Sequence, residues 1–107
     1  MLTLKETYGL VSASAAATGT TLIPRSSDGF RHLCLVTITV AGTVWLEASV
    51  TPVAPGVARW VPISGTITQT DSIAAEGNFS NLRVAWSGNT GTITVDLIQS
   101  AYAPRIY

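Results

Sequence analysis

Apolar and polar residues alternate along most of this chain with a period of two, the spacing of strands that bury one face. The sharpest stretch runs from Phe79 to Ile98: Leu82, Val84 and Trp86 form one apolar stripe, and Ile93, Val95 and Leu97 form another. Between them, Ser87-Gly88-Asn89-Thr90-Gly91 supplies residue types that reach positive φ at low cost. The stretch predicts a hairpin pairing Trp86 with Ile93, Val84 with Val95 and Leu82 with Leu97. That register sets Arg83 against Asp96 on the outer face.

A second alternating run begins at Phe30. Cys34, Val36, Ile38 and Val40 share one side, with Leu33, Leu35, Thr37 and Thr39 on the other. After Ala41-Gly42-Thr43, the residues Val44, Leu46, Ala48 and Val50 alternate with Trp45, Glu47, Ser49 and Thr51. This predicts another hairpin, with Val40 opposite Val44 and Ile38 opposite Leu46. Pro52, Pro55 and Gly56 end it, and a short strand within Val57 to Ile63 is confined to a sheet edge by Pro62. From Gly65, the run TITQTDSIAA reads as a strand on its β-branched content, and Glu76-Gly77-Asn78 turns the chain.

The N-terminal half is less regular. Residues 1–10 predict an extended arm, and residues 11–29 two short edge-like strands closed by Pro24 and the turn cluster Ser26-Ser27-Asp28-Gly29. Residues 99–107 predict an extended tail. About eight short strands at spacings of roughly 8 to 12 residues, with no helix among them, indicate an all-β fold. The expected architecture is a two-sheet antiparallel β-sandwich, jelly-roll-like, forming one domain over residues 1–107.

Charge narrows the set of partners. Six basic and six acidic residues cancel, so no electrostatic footprint points to nucleic acid or to an anionic membrane. Only 11% of residues are charged, against about 25% in ordinary soluble domains. A surface so short of charge is poorly defended against association, and suits one covered by other subunits. The segment MLTLKETYG lacks an apolar export leader, and no run approaches the roughly 18 apolar residues of a spanning helix. Synthesis in the cytoplasm is the expectation.

Candidate chemistry is sparse. The single cysteine, Cys34, sits in the apolar run LCLVTITV and reads as a buried small hydrophobe. His32 is the single histidine. With Cys34 it makes only a two-ligand pair, and Asp28 and Glu47 sit where turns and outer faces carry charge, so no metal site or cofactor is expected. No nucleophile elbow, zinc-protease or phosphate-loop motif occurs. Glu47, Asp71, Glu76 and Asp96 could supply a carboxylate pair, but each reads as a strand-end or outward charge. No catalytic site is expected among them.

The tryptophans divide by parity. Trp86 shares the inward side with Leu82 and Val84, whereas Trp45 faces outward and Trp60 lies near an edge. Either of the last two can stack on a sugar or fill a subunit interface. The low charge favours the interface.

The segments LEASV at 46–50, ARWVPI at 58–63 and GNFSNLRVAWSGNTGTITVDLI at 77–98 together resemble small β-sandwich virion proteins of tailed bacteriophages, of the capsid decoration or cement type. The resemblance covers roughly the last 60 residues and rests on a hairpin-and-core pattern. It implies a virion structural protein that binds and stabilises a capsid shell, contacting the major capsid protein or other virion proteins. A homo-dimer or homo-trimer is expected, without nucleic acid or membrane as partner. The expected contact residues are Leu2, Leu4 and Tyr8 on the N-terminal arm, Trp45 and Trp60 on the domain, and Tyr102, Ile106 and Tyr107 on the tail. Deleting either arm is expected to reduce shell occupancy and leave the domain folded. The alternative is a carbohydrate- or receptor-binding module of a phage tail or fibre. A hydrolase would need His32 to face a cleft with a carboxylate in reach.

Overall fold

A computed structural model describes residues 2–24, 31–49, 59–77 and 79–102. The period-two runs form eight strands: β1 (Leu2–Ser14), β2 (Gly19–Leu22), β3 (Arg31–Ile38), β4 (Thr43–Ser49), β5 (Val61–Pro62), β6 (Asp71–Glu76), β7 (Asn81–Ser87) and β8 (Ile93–Tyr102). No helix occurs among the described residues. Two four-stranded sheets result, sheet A in the order β1-β8-β3-β6 and sheet B in the order β2-β7-β4-β5. Every pairing is antiparallel.

The pairings obey a simple rule. β1 pairs with β8, β2 with β7, β3 with β6 and β4 with β5, as in one long ribbon folded at its middle. The contacts β3–β8 and β4–β7 then roll that ribbon into the two sheets. Cys34, Val36, Ile93, Val95 and Leu97 from sheet A meet Val44, Leu46, Leu82, Val84 and Trp86 from sheet B in one core. Burying each large aliphatic side chain is worth about 1.5 to 3 kcal/mol, so this shared layer holds the sheets together.

Inward stripes lie where the alternation puts them, but both expected hairpins are absent. β7 and β8 belong to different sheets, so Leu82, Val84 and Trp86 face Ile93, Val95 and Leu97 across the core instead of along a ladder. Arg83 is therefore opposite Glu47, and Asp96 opposite Leu35. β3 and β4 are likewise split between sheets, and Val40, past the end of β3, is 72% exposed. Alternation specifies a face and leaves the partner strand open. Pro62 does lie in an edge strand, β5. Residues 66–70, expected as strand, contribute only an isolated bridge between Ile67 and Val44.

Two of the connections that cross between sheets, β3–β4 and β7–β8, are fastened to each other. Thr39 N donates to the Thr92 carbonyl (3.1 Å), Thr92 N donates to Thr39 Oγ1 (2.8 Å), and Thr90 N donates to the Ala41 carbonyl (3.1 Å). Gly91 permits this approach, because a Cβ there would lie 2.5 Å from Thr39 Oγ1 and 2.7 Å from Val40 Cγ2. Buried Asn89 secures the other side: its Nδ2 donates to the carbonyls of Ser14 (3.1 Å) and Ala16 (2.9 Å). Trp86 Nε1 donates to the same Ala16 carbonyl (3.1 Å).

The expected arm and tail are built into sheet A. Leu2 pairs with Tyr102 and Leu4 with Ala101 in the β1–β8 ladder, so β1 forms one edge of the sheet and residues 99–102 are the end of β8. Removing residues 1–9 would leave the β1-side edge of β8 unpaired from Asp96 to Tyr102, with β3 still on its other edge, rather than trim a free extension. The expected β2 edge strand is present at the border of sheet B.

Candidate functional site

The outer face of sheet B gathers the outward tryptophans around an ion pair. β4 and β7 run in register with Glu47 opposite Arg83 and Trp45 opposite Ala85, at positions that alternate with the core residues Val44, Leu46, Leu82, Val84 and Trp86. Arg83 Nε and Nη2 each lie 2.7 Å from Glu47 Oε1. Trp45 Nε1 donates to the other oxygen, Oε2, at 2.8 Å. The Arg83 guanidinium sits 4.0 Å from the centroid of the Trp60 ring, a cation–π contact.

This network is closed on itself. Each Glu47 oxygen is occupied, and the Arg83 and Glu47 side chains are only 24% and 12% exposed. Such charge-assisted bonds fix geometry and leave no free acid to bind a substrate. The pair holds Trp45 and Trp60 as a platform, and the same register row continues to Pro62 on β5 and to Leu22 on β2, which is 61% exposed. Sequence reasoning missed the Glu47–Arg83 pair and Leu22. Parity placed Glu47 and Arg83 outward and did not place Leu22, and the neighbourhood of all three depends on β7 lying between β2 and β4.

The remaining expected contact residues are dispersed. Tyr8 packs against the core and so serves the fold of its own chain. Leu2, Leu4 and Tyr102 have their backbone in the β1–β8 ladder, while Ile106 and Tyr107 lie outside the described residues.

Comparison of the chain with protein-family models, curated proteins and solved structures gives no match.

Two buried groups resemble catalytic residues only in type. His32 is fully buried, and its Nδ1 lies 3.1 Å from Gln99 Nε2. Gln99 Nε2 also donates to the Pro24 carbonyl. The amide is thus the donor, Nδ1 the acceptor, and the ring proton resides on Nε2. Burial lowers the His32 pKa below its ordinary value, partly opposed by a hydrogen bond with the Gly77 backbone. Phe79 stands beside the ring, with centroids 6.4 Å apart. Cys34 is buried, and desolvation pushes its thiol up to about 12, so it remains a neutral thiol at physiological pH.

Asp71 and Glu76 occupy the two ends of β6, and Glu76 Oε1 lies 3.3 Å from Arg31 Nε on the surface. Among the described residues, no group of three histidine, cysteine or acidic side chains could hold a metal ion. An open hollow is lined by Thr66, Ile67, Thr68, Gln69, Thr70 and Asp71. Thr70 Oγ1 is engaged there by the backbone of Ile38.

Proposed function

We propose that this protein is a non-enzymatic virion structural protein that binds and stabilises a bacteriophage capsid shell, as a decoration or cement protein. The observation that carries the reading is the outer face of sheet B. There, two tryptophans, Leu22 and Pro62 surround an ion pair already satisfied within the chain. Aromatic and aliphatic groups around a neutralised centre suit a protein partner, since no unpaired charge must be desolvated on contact.

The pairing rule supports the same reading. A folded ribbon of eight strands, rolled into the orders β1-β8-β3-β6 and β2-β7-β4-β5, is how we read a jelly roll, an architecture used by viral capsid proteins and lectins. The test is co-sedimentation of the purified protein with empty bacteriophage capsid shells. Bound protein is expected in the shell pellet, and a Trp60→Ala, Leu22→Ser variant with an unchanged melting temperature is expected to be depleted from it. Absence of wild-type protein from the pellet would refute the proposal.

The alternative, a carbohydrate- or receptor-binding module of a tail or fibre, draws support from the hollow at residues 66–71, whose hydroxyls, amide and acid suit a sugar. Neither Trp45 nor Trp60 lines that hollow, so the stacking surface and the polar groups are separated. Binding to a glycan array would favour this second reading.

A further inference from the structure

The outer face of sheet A is a different surface. Rows of register cross it in sequence: Lys5, Ser100, Arg31 and Glu76; then Thr7, Ile98, Leu33 and Ala74; then Gly9, Asp96, Leu35 and Ser72; then Thr94 and Thr37. The middle of this face is aliphatic, with Leu33 and Ile98 half-buried and Leu35 42% exposed. Charge flanks it unevenly. Lys5 and Arg31 flank Ser100 in the register row at one end, with Glu76 beside Arg31, whereas the exposed Asp96 has neutral Gly9 and Leu35 as its cross-strand neighbours.

We propose that this face is the contact between two copies of the chain, in an isologous dimer whose two-fold axis runs across the strands at the Leu33–Ile98 row. A two-fold there exchanges the rows on either side of it. Asp96 of one copy then lies over Ser100 and beside Arg31 of the second, and the contact is made twice. Leu33 and Ile98 meet their own counterparts on the axis, and Leu35 covers the aliphatic stem of Arg31.

Charge selects this arrangement over the other two-folds available to the same face. An axis on the Asp96–Leu35 row sets Asp96 against Asp96. An axis along the strands between β8 and β3 sets Asp96 against Leu35. Either alternative buries an acid with no cation, the costly outcome in a contact of this kind. The inference is independent of shell binding, and it leaves the tryptophan face of sheet B uncovered on the opposite side of the sandwich.

Sedimentation velocity of the full chain tests it without any shell. The wild type is expected at twice the 11.2 kDa chain mass. Asp96→Arg and Arg31→Asp are each expected to weaken self-association on the order of 100-fold, because each sets like charges together twice. An equimolar mixture of the two variants should recover the dimer, since the mixed interface carries two opposite-charge pairs. Asp71→Arg makes the same charge change off this face and should leave the wild-type dimer intact. Leu33→Lys, which places two ammonium groups on the axis, supplies a second disruption, and thermal melts establish that each variant is folded. A wild-type monomer or trimer overturns the proposal, as do folded variants that stay dimeric or a mixture that stays monomeric.

Discussion

Arg83 directs two donors to one oxygen of Glu47, each at 2.7 Å, while Trp45 takes the other oxygen at 2.8 Å. Glu47→Gln keeps the shape but leaves a partly buried guanidinium facing a neutral amide. The expected loss is about 1.5 to 3 kcal/mol, the range for hydrogen bonds to charged groups. The urea unfolding midpoint reads that loss. A double-mutant cycle with Arg83→Met should return a coupling energy of similar size, because removing both partners strands neither. A coupling near zero would show that the pair adds nothing to the fold.

Asn89 is the fastener between the connection leading into β8 and the end of β1. Its side chain satisfies the Ser14 and Ala16 carbonyls and accepts from Gly91 N at 3.2 Å. Asn89→Ala is expected to cost about 2 to 3 kcal/mol through buried groups left unpaired. Asn89→Asp should cost more, since it turns a carboxylate oxygen toward two carbonyls. Equal destabilisation by the two substitutions in chemical denaturation would contradict this assignment.

Which side chains are inward was legible for β3, β4, β7 and β8, because a period of two states the face directly. Leu82, Val84 and Trp86 and their counterparts Ile93, Val95 and Leu97 are all buried as their parity requires. Strand partners were not legible. Ser87 to Thr92 carries the residues of a tight hairpin turn, yet these residues arch from one sheet to the other, because facing stripes bury the same area whether paired across the core or along a ladder. The Glu47–Arg83 contact was lost for that reason, since its 36-residue separation leaves no local trace. Trp45 was visible as an outward aromatic and Trp60 as one near a sheet edge, but the platform joining them needed the position of β7.

Gly91 measures how tightly the β3–β4 and β7–β8 connections meet. Gly91→Ala places a methyl group 2.5 Å from Thr39 Oγ1, a contact that forces the connections apart. Destabilisation of about 1 to 3 kcal/mol is expected from such overpacking. Val40→Ala should recover part of it, because Val40 Cγ2 is the second atom in the way at 2.7 Å. Full additivity of the two substitutions would show that the clash is not shared.

Cys34 reports opening of the core. Its thiol is fully buried and pushed up to about 12, so both access and ionisation oppose modification in the folded state. Labelling by an aromatic disulfide reagent at pH 8 is expected to be slow in buffer and complete within the mixing time in denaturant. A rapid stoichiometric reaction in buffer would place the thiol outside the core.

Acid acts on His32. Burial holds its folded pKa below the ordinary 6.5, whereas the unfolded chain takes up the proton near that value. Between the two, the unfolded state binds more protons, so the stability His32 contributes is present above about pH 6.5 and lost as pH falls towards the folded pKa. The slope is at most about 1.4 kcal/mol per pH unit for one such group. Protonation also turns Nδ1 into a donor facing the Gln99 amide donor 3.1 Å away, which strains the link from Gln99 to the Pro24 carbonyl. Urea unfolding between pH 7.5 and about pH 5, above the ordinary carboxylate range, isolates this effect. His32→Gln should flatten the profile over that interval whatever it does to stability at pH 7.5, and an unchanged slope in the variant would assign the acid response to another group.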